Sequence, residues 1–337
     1  MIEIIPGIYE LRLPIPHNPL HYTNCYLVRG DKKHLLIDAG WNDERTFQSL
    51  EKQLAEIKID FSDISQLVIT HAHPDHYGLA SRLQQLSRAK IALHSLEQNL
   101  IYHDYNQVIE FFRHVEDLLH RNGIPSSDLS PVRLSPARAQ RFTPPVLPDI
   151  ILNDNDTLST STFNLKVIWT PGHAPGHICL YEPERKILFS GDHVIADITP
   201  NVSLRPQSRP NPLGDFLSSL KKVRELEVKL TLPAHGAIIS DLRKRVDEII
   251  QHHHHRSEEV LAAIKAEPRT AYQISAEVTW MPEQGGMPWR NLAPWDKRMA
   301  AMETLAHLEY LRVEGKVSQL ASNGITYYQR TDVPVRV

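Results

Sequence analysis

The sequence predicts an α/β protein, and three observations lead there. Short apolar runs bounded by turn residues recur up to about residue 235: "NCYLVRG", "HLLIDAG", "LVIT", "IALH", "LKVIWT", "HICLYE", "KILFSGD" and "KLTLPAHG". Between several of them lie helical stretches, with Leu79, Leu83 and Leu86 on one face after His76 and Leu213, Phe216, Leu217 and Leu220 on another. A chain of 337 residues is long for a single core, so a large domain with a smaller companion is expected.

Along the chain, "MIEIIPGIYELRLP" alternates apolar and polar residues and reads as an opening strand pair, without the features of a signal peptide. "YEPERKI" reads as a hairpin turn between two strands. Residues 95–150 interrupt the rhythm with helical segments rich in aromatics and histidine, followed by a proline-rich loop. Such an insertion is either a lid over a site or a helical cover on a sheet edge. From about residue 241 the texture turns helical: "LRKRVDEIIQHHHHRSEEVLAAIKA", a short "TAYQISAEV", and a third helix carrying Met299, Met302, Leu305, Leu308 and Leu311 at helical spacing. "KVSQLASNGITYYQR" closes it as a hairpin with Asn-Gly at the turn. Three helices and a hairpin are the layout of a winged helix. The expected division is therefore a catalytic domain over 1–240 and a winged-helix-like domain over 241–337.

Composition narrows the function classes. No apolar run approaches the roughly 20 residues of a membrane span. The net charge of −3 gives no sign of a polyanionic partner. Cys25 and Cys179 sit in apolar stretches and read as buried free thiols, which suits a cytoplasmic protein. The unusual count is histidine, at 19.

Many of those histidines directly follow strands. "VITHAHPDHYG" supplies His71, His73, Asp75 and His76; "WTPGHAPGH" supplies His173 and His177; "FSGDH" supplies Asp192 and His193; "LPAHG" supplies His235. In open α/β sheets the strand ends converge on the ligand site. Neutral imidazole and carboxylate are good ligands for borderline divalent metals, zinc first, with iron or manganese compatible. Two such ions share a hydroxide and stabilise an attacked oxygen. Seven ligands suit two ions: His71, His73 and His173 for one, Asp75, His76 and His235 for the other, and Asp192 between them. His71 and His73 lie two apart, which suits extended backbone, while Asp75 and His76 open the following helix.

The series His71-Ala-His73-Pro-Asp75-His76, "TPGH" with His173, "SGD" with Asp192 and "PAHG" with His235 resembles the metallo-β-lactamase fold superfamily over about residues 1–240. The resemblance implies a four-layer αββα sandwich with a dinuclear metal site at one edge of its two sheets. The tail resembles the winged-helix extension of one branch, which includes lactamase-like endoribonucleases and bacterial hydrolases.

Around the ligands, Asp38 in "LLIDAG" is expected either to orient a ligand histidine or to form a turn. His177 is expected to be a buried hydrogen-bonded histidine or a support to the ligands. His193 is expected to point away from the metals or to touch substrate. Arg205 and Arg209 are candidates for a small anionic group on the substrate, and Tyr102, His103, Tyr105 and Phe112 for lining the lid. In "QHHHHR", His252 and His255 share a helical face, exposed or at an interdomain contact.

The expected activity is hydrolysis by hydroxide held between the two metals, with Asp75 also managing the proton passed to the leaving group. The diiron oxygen-reducing members carry glutamate where this chain has His73, which disfavours oxygen reduction. The first expected substrate is a small thioester or lactone. A phosphodiesterase acting on RNA and a degenerate regulatory or nucleic-acid-binding protein are the alternatives. Residues 251–337 carry ten Lys and Arg against ten Asp and Glu, no basic face for nucleic acid. The tail is therefore expected to be structural, to dimerise the chain, or to wall the cleft.

Overall fold

The computed structural model describes residues 1–16, 20–31, 33–101, 105–128, 146–280 and 285–332. The proline-rich loop lies outside these residues up to residue 145.

The apolar runs form two sheets. The first places its strands in chain order: β1 (Ile2–Ile5), β2 (Ile8–Pro14), β3 (Tyr22–Val28), β4 (His34–Ile37), β5 (Ile64–Val68), β6 (Lys90–His94) and β7 (Ile150–Leu152). β1 to β4 are antiparallel, and β4 to β7 are parallel. Parallel neighbours need crossovers. The described ones are α1 (Glu44–Glu56), capped by the Asp43 side chain, and α2 (Pro74–Tyr77) with α3 (Ala80–Ser87). The second sheet is ordered β12 (Leu230–Pro233), β11 (Ile187–Gly191), β10 (Ile178–Glu182), β9 (Asn164–Trp169) and β8 (Thr157–Ser159). β10 and β11 form the hairpin read from "YEPERKI". α6 (Pro212–Arg224) crosses between the parallel pair β11 and β12.

Period-two alternation sorts these strands into layers. Tyr26, Val28, Leu35, Ile37 and Val68 of the first sheet meet Val167, Ile178, Leu180, Phe189 and Leu232 of the second in the central core. Their neighbours Leu27, Leu36, Leu67 and Ile91 face outward against Phe47, Leu50 and Leu83 of the first helical layer. Cys179, Tyr181 and Leu188 face the opposite way, against Phe216, Leu217 and Leu220 of α6. The result is the αββα sandwich. Phe189 sits at its centre, edge-on to Tyr26 at 5.3 Å, and truncating such a ring costs about 3–5 kcal/mol. Leu86 departs from the expected stripe: it lies in the last turn of α3 before the left-handed Arg88 and stays half-exposed. Cys25 and Cys179 are buried free thiols.

The tail contains α7 (Leu242–Ala263), α8 (Ala271–Ser275), α9 (Pro294–Val313) and the hairpin β13 (Val317–Ser322) and β14 (Ile325–Arg330). Asn323 and Gly324 carry the positive φ values, 50° and 76°, of a two-residue hairpin turn. Arg269, between α7 and α8, exchanges two backbone hydrogen bonds with Tyr328 of β14 (2.9 and 2.7 Å).

The insertion is bound to this tail. Val115 and Leu119 of α5 (Tyr105–Arg121) and Ile124 after it share one core with Val260, Ile274, Leu305 and Leu308. Asp128 accepts from Trp289 Nε1 and Lys297 Nζ at 3.0 and 2.9 Å. In the histidine run it is His253, between the two expected positions, that turns inward, against Phe216 of α6 and His307 of α9. Among the described residues no helix is long and apolar enough to cross a membrane.

Candidate metal centre

The seven sequence-predicted ligands meet where β5, β9, β11 and β12 end. Beyond β5 the irregular stretch of residues 69–73 brings His71 and His73 into one group of donors. His73 then caps α2 with φ −67° and ψ 150°, Pro74 opens the helix, and Asp75 and His76 fill its first turn. Gly191 lets β11 enter the site: it holds φ 51°, and a Cβ there would lie 2.6 Å from His177 Nε2. Substitution at that position therefore displaces both His177 and the following Asp192.

The donors fall into two groups, each with its ligand atoms within 4.8 Å of one another: His71, His73, His173 and Asp192 in one, and Asp75, His76 and His235 in the other. In the first, His71 Nε2 and His173 Nε2 lie 2.8 and 3.0 Å from His73 Nδ1, and 3.9 and 3.5 Å from Asp192 Oδ2. In the second, Asp75 Oδ2 lies 3.8 Å from His76 Nε2 and 3.4 Å from His235 Nε2. Asp192 Oδ1 faces those same two nitrogens at 3.5 and 3.4 Å. One Asp192 oxygen therefore serves each group.

Four of the imidazoles are fixed through the nitrogen that points away. Nδ1 of His71 meets Thr70 Oγ1 (3.1 Å), Nδ1 of His76 meets Asp38 Oδ2 (2.8 Å), Nδ1 of His173 meets the Asn201 carbonyl (2.8 Å), and Nδ1 of His235 meets the Tyr22 carbonyl (3.0 Å). An Nδ1–H donating to a carbonyl or carboxylate leaves the Nε2 lone pair directed inward, as a ligand requires. His76 Nε2, His235 Nε2 and Asp192 Oδ1 are buried yet make no well-directed hydrogen bond. Converging buried donor atoms that find no well-directed hydrogen-bond partner fit a cation. Tetrahedral zinc with bonds of about 2.1 Å needs ligand atoms roughly 3.4 Å apart, close to the separations here.

Charge points the same way. Burial opposes protonation of His76 and His235, but Asp192, Asp38 and Asp75 outweigh it at His76, and Asp192 and Asp75 outweigh it at His235. His76 is pushed well above the usual histidine range and His235 to about 10. Burial, then the neighbouring imidazoles, push His71 and His73 well below that range. Two buried carboxylates, Asp38 and Asp192, with the partly exposed Asp75 thus call for positive charge among imidazoles that are partly kept neutral, which is the electrostatic condition for a divalent cation.

Asp38 holds φ 62° and accepts from Thr70 N–H and Oγ1–H at 2.8 and 3.0 Å while facing His76, so the turn and the orienting contact are one feature. His177 is fully buried; Nδ1 meets Thr170 Oγ1 at 2.8 Å, and Nε2 accepts the Asp192 backbone N–H at 3.1 Å. His193 points away from the ligands into the packing against Phe216, with ring centroids 5.0 Å apart. Arg205 Nη1 reaches His73 Nε2 at 3.1 Å. Arg209 does not reach the ligands: its Nε donates to Asp215 at 2.6 Å and its guanidinium lies 5.2 Å from the Trp169 ring centroid. Tyr102, His103 and the Tyr105 side chain lie outside the described residues.

Two supports were missed in the sequence. Glu97, fully buried in α4 (Ser95–Gln98), accepts the backbone N–H of Ala72 at 2.7 Å and of Gly176 at 2.6 Å, joining the two loops that carry His71, His73 and His173. Burial pushes its carboxyl up to about 7 against those two bonds. It follows β6 as Asp38 follows β4, so the strand-end rule applied to "IALHSLEQ" reaches it. Asn24 of β3 donates to the Pro233 and Gly236 carbonyls at 3.1 and 3.0 Å, pinning the His235 loop across the two sheets.

A four-layer sandwich with this donor set at its edge is the architecture of a metal-dependent hydrolase. The profile of the metallo-beta-lactamase superfamily matches residues 18–235, and the chain belongs to that superfamily. It is 25% identical over 338 residues to the probable metallo-hydrolase YqjP of Bacillus subtilis, covering 96% of this chain and 97% of that one. It is 25% identical over 263 residues to an atrochrysone carboxyl ACP thioesterase of Aspergillus fumigatus, covering 77% of this chain and 66% of that one. In structure it is similar to a metallo-beta-lactamase family protein of Thermus thermophilus, with a TM-score of 0.81, 33% identity and coverage of 97% and 100%. The chain is thus a hydrolase of this superfamily.

Proposed function

We propose that the chain hydrolyses a small thioester or lactone at a centre of two divalent cations, zinc first. His71, His73 and His173 would hold one, Asp75, His76 and His235 the other, and Asp192 both. The observation that carries this reading is the division of Asp192, one oxygen toward each group of nitrogens. Bound there, the ions would supply a water acidic enough to attack near neutral pH and would polarise the scissile carbonyl.

The protein's own groups do the rest. Asp75 keeps a partly exposed carboxylate at the rim, 3.4 Å from His235 Nε2, placed to take a proton and pass it to the leaving group. Asp38, His177 and Glu97 hold His76, Asp192 and the two histidine loops in register. Arg205 offers a guanidinium beside His73 for an anionic substituent on the substrate. A relative named as an ACP thioesterase supports the thioester choice. The balanced charge of residues 251–337 supports a small substrate over RNA.

The test is elemental analysis of tag-free protein paired with a hydrolysis screen of thioester, lactone, RNA and bis-p-nitrophenyl phosphate. About two zinc ions per chain with thioester or lactone turnover, abolished by Asp75→Ala, is the expected result. Turnover of RNA alone overturns the substrate choice. Less than one metal per chain after zinc dialysis, with no turnover, overturns the reading as a whole.

A further inference from the structure

We infer that Glu303, on helix α9 of the tail, is a positioning residue for the metal centre and acts on His173 through Asn201. This rests on the metal-binding reading above.

The outer nitrogen of His173 is held by the Asn201 carbonyl at 2.8 Å. Asn201 lies in the stretch between β11 and α6, about twenty residues without helix or strand, which no ladder of its own can keep in place. The tail supplies the hold. Asn201 Nδ2 donates to Glu303 Oε2 at 3.0 Å, and Asn201 Oδ1 accepts from Ser203 Oγ at 2.6 Å, so both ends of the carboxamide are engaged. One residue earlier on α9, the Met302 carbonyl accepts the Leu204 N–H at 3.0 Å. Two consecutive residues of α9 thus grip segment 201–205. That segment meets the outer nitrogen of His173 at its start.

The Glu303 bond is charge-assisted, about twice as strong as a neutral one. It anchors the Asn201 side chain to α9, while the Leu204–Met302 bond anchors the backbone three residues on, so the two together hold the residue whose backbone carbonyl faces His173. A metal-bound imidazole depends on such an outer partner for its ring orientation and tautomer, and losing one typically weakens metal binding 10–100-fold. The C-terminal region therefore completes the centre from outside the ligand set.

The experiment compares the full chain with Glu303→Ala, Glu303→Gln, Asn201→Ala and the Asn201→Ala/Glu303→Ala double variant. Zinc affinity and stoichiometry are read by chelator competition, and folding by circular dichroism. Glu303→Ala and Asn201→Ala are expected to weaken one of the two zinc ions by roughly ten-fold and to leave the other in place. The double variant is expected to be no worse than either single one, because both break the same chain of contacts. Glu303→Gln keeps an accepting oxygen and is expected to stay within about two-fold of the parent. Parental zinc affinity in folded Glu303→Ala, or additive losses in the double variant, overturns the inference. Should Glu303→Ala fail to fold, Asn201→Ala alone decides by the same criterion. A parent chain that binds no zinc fails at the underlying reading instead, which is a different result.

Discussion

Asp38 Oδ2 lies 2.8 Å from Nδ1 of His76, and Asp38 makes that contact from a left-handed backbone with φ 62°. Aspartate and asparagine tolerate this conformation better than other side chains. Asp38→Asn therefore isolates the charge: it preserves shape and backbone but can turn an amide N–H toward His76 Nδ1. The expected result is a normally folded protein whose zinc affinity falls by about 10–100-fold in chelator competition. Parental affinity in this variant would remove Asp38 from the account of the site.

Glu97 joins the loops of Ala72 and Gly176 through one carboxylate oxygen each. Glu97→Gln is nearly isosteric but has a single accepting oxygen, so one buried N–H loses its partner and meets an N–H of the amide. A loss of roughly 1–3 kcal/mol is expected in urea unfolding of metal-stripped protein. A fall in kcat is expected in the loaded enzyme, because His71, His73 and His173 ride on those loops. Unchanged unfolding midpoints would show that the two bonds carry no net stability.

Arg205 Nη1 lies 3.1 Å from His73 Nε2. A guanidinium only donates, so this contact needs a lone pair at Nε2 and puts the ring proton on Nδ1, among the ligands. For Nδ1 to serve as a ligand, that proton must sit on Nε2, facing the guanidinium. Arg205 is then expected to turn toward an anionic group of the substrate. Arg205→Ala should raise KM about ten-fold or more for a carboxylate-bearing thioester and leave a neutral thioester of similar size unaffected. Equal effects on both substrates would assign Arg205 to shaping the cleft alone.

His253 is buried between Phe216 and His307, with His252, His254 and Arg256 on its own helix and His307 on α9 as its titratable and charged neighbours. Burial, then His252, Arg256 and His254, push it down to about 3. The unfolded chain takes up this proton near the ordinary value of 6.5, and the folded chain does not until about 3. Folding stability from this group is thus complete above about pH 6.5 and is lost progressively as the pH falls toward 3. In metal-stripped protein, His253→Leu is expected to flatten the fall in unfolding midpoint between about pH 6.5 and 4 relative to the parent. Parallel curves for the two proteins would exclude His253 as a source of acid sensitivity.

The sequence by itself singled out the seven candidate donors and the layers. The candidates lie just past strands or in the short helix α2 that opens after β5, so local position and spacing are enough to single out His71, His73, Asp75, His76, His173, Asp192 and His235. Pro74 and Asn323-Gly324 are read equally locally, because each constrains its own φ. Tertiary structure decided the contacts that have no local period. Nothing in "HSLEQ" says that Glu97 will accept from Ala72 and Gly176, and nothing in the tail says that Glu303 will hold Asn201, about one hundred residues away. The same holds for α5, whose helical character was legible while its partner, the core of the tail, was not. Arg205 and Arg209 looked alike in "LRPQSRP", and only the fold brought one to His73 and tied the other to Asp215. Periodicity and capping are properties of neighbouring residues, whereas the partner of a buried polar group is chosen by which distant surfaces pack together.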